Sequence, residues 1–312
     1  MNREENRKLI VGPIGAIPTP FDSNYNLNLG AMHDMVQYMV GNGVSNGNGV
    51  IKVASAIGEG PMLRDSEWPA LLRTVVRAAN GKAPVMFGIH YKDTFRAIED
   101  AKRAQDLGAI GLQIAPPVYN IPTQQDMYDY YSDVGKAIEI GIMIYHTHWI
   151  HGGRIETDTF HRMRDLERVI AIKWSPHGDG QTYEDMEQFV DHFNIIDNSA
   201  NPVRCFKLGG HGWVQTTLDA YPPHELKVLE LLRAGQYEKA DEAYCRVYRP
   251  IEAIYAKLHE RTGGQSLIMK GLAEVMGHKV GASRPPSKPL TVEEMTELRT
   301  LATSWGWPVP TT

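Results

Sequence analysis

One lysine in this sequence stands where its amine could act as a nucleophile. Lys173 follows four apolar residues in VIAIKWSP (169–176) and directly precedes Trp174. Burial disfavours the charged form of an amine and can lower its pKa by about 3 units, which corresponds to roughly 4 kcal/mol in favour of the neutral form. A neutral amine at a strand end can form an imine with a carbonyl substrate. The alternative is a structural lysine paired with a carboxylate, and Lys52 and Lys207, also in predicted strands, are candidates for the same chemistry.

Two tyrosines follow apolar runs in the same way. Tyr145 lies in IMIYHTH, and Tyr119 lies in APPVYNIPTQ. A phenol beside an imine can transfer protons to and from the oxygen and the α-carbon of the substrate. Each tyrosine could instead be a packed aromatic residue with a hydrogen-bonded hydroxyl, and the pattern alone leaves both interpretations open.

Histidines form a third group of candidates. Those at or just after predicted strand ends are His90, His146, His148, His151, His177 and His211. They could hold a metal, bind a substrate carboxylate, or act as acid and base near neutral pH; ordinary hydrogen-bonded loop histidines are the alternative. HTHWIH has the spacing of metal ligands, but no Asp or Glu at a matching strand end completes a set. We therefore predict no metal site, and we expect one or two of these histidines to bind substrate or transfer protons.

The elements that position these residues alternate regularly. Short apolar runs predict strands at 14–20, 49–55, 83–90, 109–117, 140–148, 169–174, 193–200 and 203–210. Longer segments of helical period lie between most of them, as at 29–43, 65–81, 93–108 and 123–141. This order predicts an α/β fold, a (β/α)8 TIM barrel, whose catalytic groups lie at the carboxyl ends of the strands. An open doubly wound sheet is the alternative, but the turn PTPFDSNYN lacks a Gly-rich phosphate fingerprint.

From about Pro223 the pattern becomes helical only. We therefore predict two domains: a barrel catalytic domain at 1–222 and a C-terminal helical domain at 223–312. The chain of 312 residues, 42% of them hydrophobic, is long enough to bury the core that this architecture needs.

Composition narrows the possible partners. The net charge is −5, and the 32 Lys and Arg residues are scattered, so we expect neither nucleic acid nor a membrane as a partner. Cys205 and Cys245 form no disulfide framework, and the charged N-terminus lacks a long apolar segment. Both features predict a cytoplasmic protein.

Several segments together resemble one family, the dihydrodipicolinate synthase and N-acetylneuraminate lyase family of lysine-dependent aldolases. They are GAIPTPFD, SAIGEGPMLRDSEW, PPVYNIPTQ, IYHTHW, AIKW and KGLAEVMGHKVGASRPPSKPL. The intervals between Tyr119 and Tyr145 (26 positions) and between Tyr145 and Lys173 (28 positions) also resemble the usual spacing of the family. The resemblance covers nearly the whole chain.

This resemblance implies a barrel with a helical C-terminal extension and a reaction that needs no cofactor. It implies that Lys173 forms the Schiff base, that Tyr145 transfers the proton, and that Tyr119 reaches into the site of a neighbouring subunit. It further implies a small-molecule carbonyl substrate, by default pyruvate or another 2-oxo acid, and a homotetramer built as a dimer of dimers.

The sequence departs from the family at the substrate. Two hydroxyl residues that bind the carboxylate in the family correspond to Ala56 and Ile57, and only Ser55 could partly replace them. Ile150 stands where the synthase branch has an arginine for its second substrate, and Trp174 replaces a commonly acidic residue. We therefore do not expect the lysine-pathway synthase reaction, and the aromatic surroundings predict a less polar or differently charged substrate.

Candidates for substrate binding are Ser55, Ala56, Ile57, His90, His146, His148, His177 and Val214. The sequence favours a Schiff-base lyase or aldolase. A decarboxylase or hydratase that uses the same lysine, and a barrel that binds a ligand without catalysis, are the alternatives.

Overall fold

Eight parallel strands form a closed barrel in chain order, so that β8 pairs with β1. The computed structural model describes residues 2–178 and 180–311. The strands are β1 Gly12–Ala16, β2 Val50–Val53, β3 Val85–Ile89, β4 Gly111–Ile114, β5 Gly141–Tyr145, β6 Val169–Trp174, β7 Asn194–Asp197 and β8 Gly212–Gln215. The predicted (β/α)8 barrel is confirmed.

Helices connect the strands and then continue beyond them. Through the barrel they are α1 Arg3–Leu9, α2 Leu29–Gly41, α3 Trp68–Ala79, α4 Thr94–Asp106, α5 Gln124–Lys136, α6 Thr157–Arg162 and α7 Pro202–Lys207. After β8 follow α8 Pro222–Arg233, α9 Tyr237–Arg261, α10 Ser266–Val275 and α11 Val292–Ser304. Local sequence fixes where several begin: Asp93 accepts hydrogen bonds from the first backbone N–H groups of α4, and Thr123 does so for α5.

The last strand is not where the sequence pattern predicted it. Residues 203–210 were expected to form a strand, but most of them belong to α7, and β8 begins only at Gly212. Pro202 occupies the first turn of α7, and the side chain of Asn201 accepts a hydrogen bond from the backbone N–H of Arg204. Proline and an Asn cap favour a helix start, and this local preference overrides the β-branched and aromatic character of the segment. Lys207 therefore lies on a helix and is not a strand-end candidate.

Alternate residues of the strands fill the barrel interior. Ile14, Val50, Met86 and Ala171 belong to one apolar cluster there. Because side chains alternate between the two faces of a strand, the next inward positions on β2 and β6 are those of Lys52 and Lys173. Both lysines are buried, so the sequence places two amines above an apolar floor.

The helices after β8 build a second apolar core and attach it to the barrel. Val247 and Ile254 of α9, Leu272 of α10 and Leu298 of α11 pack together in this core. Arg284 joins the region to the barrel, because its guanidinium donates to both carboxylate oxygens of Glu67 at 2.8 and 2.6 Å. Within the described ranges, no helix is both long enough and apolar enough to cross a membrane.

Candidate active site

Lys173 and Tyr145 face each other across neighbouring strands. They are register partners of β6 and β5, and Nζ of Lys173 lies 3.9 Å from the centre of the Tyr145 ring. Among the described residues, no carboxylate forms an ion pair with Lys173, so the geometry does not match an ion-paired structural lysine. Burial, followed by the positive charge of Lys52, holds the pKa of Lys173 well below the ordinary value for lysine. The amine is therefore neutral and nucleophilic under conditions in which an exposed lysine is charged.

The phenol of Tyr145 has a fixed partner. Nε1 of Trp149 donates a hydrogen bond to the phenol oxygen at 3.0 Å. Burial raises the pKa of Tyr145 to about 12 although this hydrogen bond acts in the opposite direction. Because Trp149 is the donor, the phenol hydrogen remains available to a third group. Tyr145 can therefore donate a proton to a molecule bound beside Lys173.

A second amine lies deeper in the barrel. Nζ of Lys52 donates to Oε1 of Gln113 at 2.7 Å, and burial lowers the pKa of Lys52 to about 7. Lys52 is fully buried and does not line the large cavity described below. The sequence analysis named Lys52 as a candidate for the same chemistry as Lys173. Its position instead allows Lys52 to influence the pKa of Lys173 without contacting the substrate.

A cavity of about 700 Å³ opens above Lys173. Lys173, Tyr145, His148, Trp149 and Ser175 line its barrel side. The helical wall, which the sequence analysis did not identify, consists of Tyr244, Tyr248, Ile251, Glu252, Tyr255, Gln265, Ile268 and Met269. The sequence does indicate that Tyr244, Tyr248 and Tyr255 share one side of α9, because they are four and then seven positions apart. The same spacing is equally typical of ordinary core packing, so it does not identify a cavity wall.

The loop after β2 contributes only one of its three candidates to this cavity. Ile57 lines it. Ser55 is buried, and its hydroxyl oxygen accepts a hydrogen bond from the backbone N–H of Gly58 at 3.1 Å. Ala56 packs against the apolar cluster of Ala115 and Tyr145. Val214, in contrast, lines the cavity from β8.

The candidate histidines separate into different environments. His148 lines the cavity, and its Nδ1 lies 2.9 Å from the hydroxyl oxygen of Ser175. His146 is buried outside the cavity, where its ring stacks on Trp174 with centroids 5.1 Å apart and lies 4.6 Å from that of His177. Trp174 is thus used in packing, and neither His146 nor His177 lines the cavity.

Three other histidines do not line this cavity either. The His90 ring lies 6.0 Å from the Tyr145 ring, and burial with the nearby charges of Lys173 and Lys52 lowers the pKa of His90 to about 3, so it is a neutral neighbour of the phenol. His151 is exposed, and His211 precedes β8 at the opposite end of the barrel. In the described parts of the chain, no three His, Cys, Asp or Glu side chains cluster as a metal site would require.

Tyr119 lies away from the cavity of its own chain. It follows β4 in a short 3₁₀ helix, and its side chain is 96% exposed. Ile121 beside it is also largely exposed. The role of Tyr119 in a neighbouring subunit therefore stays a prediction.

Comparison with known proteins gives the family. The model of the dihydrodipicolinate synthetase family matches residues 10–304. The 4-hydroxy-tetrahydrodipicolinate synthase 1 of Halalkalibacterium halodurans is 27% identical over 286 residues, which cover 91% of this chain and 94% of that protein.

Solved structures agree with this result. Dihydrodipicolinate synthase DapA-2 from Bacillus anthracis has a TM-score of 0.81 and 25% identity, over 96% of this chain and 99% of that one. YagE, a prophage protein from E. coli solved in complex with pyruvate, has a TM-score of 0.83 and 20% identity, with the same coverage. Because the family match spans nearly all of the described residues, the chain belongs to the dihydrodipicolinate synthetase family of aldolase-type lyases.

Proposed function

We propose that this protein is a lyase or aldolase that forms a Schiff base between Lys173 and a carbonyl substrate, by default pyruvate or another 2-oxo acid. One observation carries the proposal: Nζ of Lys173 lies 3.9 Å from the centre of the Tyr145 ring in the wall of a cavity of about 700 Å³. The pyruvate complex of YagE supports the choice of a 2-oxo acid.

The neutral amine of Lys173 adds to the carbonyl carbon of the substrate, and loss of one water molecule gives the imine. The protonated imine withdraws electrons from the adjacent carbon, so that a carbon–carbon bond at that carbon can form or break through an enamine. Tyr145 transfers the proton that this step requires. Hydrolysis of the imine then releases the product and restores the amine of Lys173.

The carboxylate of a 2-oxo acid needs hydrogen-bond donors, because a buried carboxylate without donors is costly. Ala56 and Ile57 offer no hydroxyl. We propose that His148 and Ser175, which are 2.9 Å apart and line the cavity beside Lys173, bind this carboxylate instead.

We also propose that the substrate differs from that of the lysine-pathway synthase named among the relatives. Ile150 is buried against Tyr145 and Ala115 and carries no charge. Among the described residues that line the cavity there is no arginine to bind the carboxylate of a second substrate. Assay of the synthase reaction is expected to give no turnover above background, and turnover at a rate typical of enzymes would contradict this proposal.

Borohydride reduction in the presence of carbonyl compounds tests the Schiff base. We expect pyruvate or a related 2-oxo acid to leave a reduced adduct on Lys173, detected by mass spectrometry. Lys173→Ala is expected to abolish the adduct, whereas Lys207→Ala, on a helix outside the cavity, is expected to retain it. Absence of an adduct with every compound would reject the proposal. Release of carbon dioxide with an intact adduct would identify a decarboxylase that uses the same lysine.

A homotetramer in the cytoplasm is the assembly and location that we propose from the family likeness. The adjacent exposed side chains of Tyr119 (96%) and Ile121 (79%) support a subunit contact at this loop. Light scattering is expected to give the mass of four chains for the native protein and a smaller mass for Tyr119→Ser. A native monomer would contradict the assembly.

A further inference from the structure

We infer that the aldehyde joined or released in this reaction carries an uncharged aromatic or branched aliphatic group, which lies against α9 and α10. This inference rests on the proposed Schiff-base function, and it assigns the part of the cavity that a small 2-oxo acid leaves unfilled. A volume of about 700 Å³ lies within the range of roughly 300–1,000 Å³ that accommodates drug-sized ligands. A three-carbon oxo acid needs only a fraction of that space.

The helical wall is mostly aromatic and aliphatic, and apart from the tyrosine hydroxyls its polar members are Glu252 and Gln265. Tyr244, Tyr248, Ile251 and Tyr255 lie on one side of α9, at spacings of four, three and four residues, and all four line the cavity. The Tyr244 and Tyr248 rings stack with centroids 5.2 Å apart and an angle of 14° between their planes. Side chains with few rotatable bonds that are already packed lose little freedom when a ligand ring contacts them.

The few charged residues of the cavity also favour an uncharged group on the aldehyde. Among the described residues that line it, the cationic groups are Lys173, which the imine uses, and His148 when it is protonated. Glu252 at the exposed rim repels an anion. Burial raises the pKa of Tyr248 to about 12, so this phenol remains neutral. Placed against the α9 wall, an aldehyde with a carboxylate would lose part of its hydration without gaining a cation there.

The barrel side of the cavity also suits a flat or branched apolar group. Ile57 lines the cavity at a position where the family that the sequence resembles has a hydroxyl residue. The Trp149 indole donates its hydrogen bond to Tyr145 and lines the cavity, with its side chain 44% exposed. Trp149 and the α9 tyrosines thus both offer aromatic contacts to a ligand ring in this cavity.

The bond changes follow from the proposed function. The proton that leaves the methyl group of pyruvate passes through the Tyr145 phenol to the aldehyde oxygen. The resulting enamine carbon forms a bond to the aldehyde carbon, and water hydrolyses the imine to release a 4-hydroxy-2-oxo acid. The reverse sequence breaks this bond and releases the aldehyde, so no oxidant, reductant or further reactant is needed.

Competing aldehydes test the inference during turnover. With pyruvate as the donor, we expect kcat/KM for benzaldehyde or isobutyraldehyde to exceed that for succinic semialdehyde by about 10- to 200-fold, the range that contacts in an apolar pocket provide. Ile251→Lys is expected to shift the preference toward succinic semialdehyde, because it adds a cation to the α9 wall. Val292→Lys, which adds the same charge at an exposed position of α11 outside the cavity, is expected to leave the preference unchanged. A native preference for succinic semialdehyde would overturn the inference.

A non-reactive probe separates this inference from the Schiff-base proposal. Benzyl alcohol carries the ring without a carboxylate that could bind at His148 and Ser175, and its binding to the Lys173→Ala protein can be followed by NMR line broadening. We expect benzyl alcohol to bind, and Tyr248→Ala in the same background to weaken its binding. This result without any borohydride adduct in the native protein would reject the proposed function while retaining the assignment of the wall. An adduct on Lys173 combined with benzyl alcohol binding that Tyr248→Ala leaves unchanged would retain the function and overturn the wall assignment.

Discussion

Lys270 of α10 and Glu59 of the loop after β2 form an ion pair in the protein interior, with Nζ 2.7 Å from Oε2 and both side chains almost completely buried. Nζ of Lys270 also lies 4.5 Å from the centre of the Phe21 ring. Ile57 lies two residues before Glu59, and Met269 directly precedes Lys270; both line the cavity. The ion pair therefore connects the β2 loop of the barrel to the helical wall of the same cavity.

Lys270→Met is expected to lower the free energy of unfolding by about 3–5 kcal/mol, because it leaves the Glu59 carboxylate buried without its cation. Urea unfolding of the native and variant proteins measures the loss. The exposed pair of Lys257 and Glu297, 2.8 Å apart, provides the control, since Lys257→Met is expected to cost less than about 1 kcal/mol. If both substitutions lowered the free energy of unfolding by the same amount, burial would not explain the contribution of the Lys270–Glu59 pair to stability.

Lys52 gives a pH-dependent prediction about stability. Burial lowers its pKa from 10.5 to about 7, and this gap of about 3.5 pH units corresponds to roughly 5 kcal/mol. Between pH 7 and 10.5 the unfolded chain binds a proton that the folded chain has released, so this lysine makes the free energy of unfolding rise with pH.

Lys52→Met is therefore expected to raise the free energy of unfolding at pH 7, by roughly 5 kcal/mol less the cost of about 1–3 kcal/mol of leaving Oε1 of Gln113 without its donor. The gain is expected to be smaller at pH 10, because this pH is close to the ordinary lysine pKa of 10.5 and the unfolded chain then gains little from binding a proton at Lys52. Urea unfolding at the two pH values measures the difference. If Lys52→Met lowered the free energy of unfolding by the same amount at pH 7 and at pH 10, packing rather than the charge of the buried amine would determine its effect on stability.

The same substitution is expected to impair the proposed chemistry. The positive charge of Lys52 contributes to the lowered pKa of Lys173, so Lys52→Met raises that pKa and reduces the neutral amine at pH 7. Labelling with a limiting amount of acetic anhydride at a series of pH values, with Lys173 read by mass spectrometry, measures the pKa without any substrate. The onset of labelling is expected to move to higher pH, with Lys207→Met as the unaffected control. An unchanged onset would show that burial alone determines the pKa of Lys173.

The strand and helix pattern was sufficient to predict the barrel, and it failed at β8 for a local reason. The segment 203–210 has strand-like residues, but the Asn201 cap and Pro202 start a helix there. The true strand, GWVQ, is only four residues long and is preceded by two glycines and His211. Gly212 contacts the backbone of β1 so closely that an added Cβ would lie 2.2 Å from the carbonyl oxygen of Gly12. This close approach depends on closure of the barrel, and strand periodicity does not reveal it.

The sequence likewise predicted some residues of the candidate site and missed others. Strand ends were sufficient to name Lys173 and Tyr145 as candidates on one face of the barrel, because parallel strands bring their carboxyl ends to one face, but only the family resemblance implied that the phenol acts beside the amine. His146 and His148 are two residues apart just beyond β5, yet one stacks on Trp174 and the other lines the cavity. The strand has ended before both of them, so alternation no longer fixes their directions. Tyr248 was not predicted, because its contact with the cavity depends on how α9 packs across the barrel.

Trp149 offers a test of how Tyr145 transfers its proton. The hydrogen bond from Nε1 of Trp149 to the phenol oxygen, 3.0 Å long, lowers the pKa of Tyr145 against the larger effect of burial, which raises it to about 12. Loss of this bond is expected to raise the pKa of Tyr145 further and to make the phenolate harder to form. Trp149→Phe keeps an aromatic ring but removes the donor.

Turnover of Trp149→Phe is therefore expected to fall less than that of Tyr145→Phe, for which a loss of about 10²- to 10⁴-fold is typical of removing an acid–base group. Both variants are expected to retain the borohydride adduct on Lys173, since imine formation uses the amine. In Trp149→Phe, the limb of the pH–rate profile that depends on Tyr145 is expected to shift toward higher pH. If the substitution only disturbed the structure of the loop after β5, the rate would fall equally at all pH values. A normal rate and profile for Tyr145→Phe would remove the phenol from the mechanism, because the proton would then have to be moved by another group.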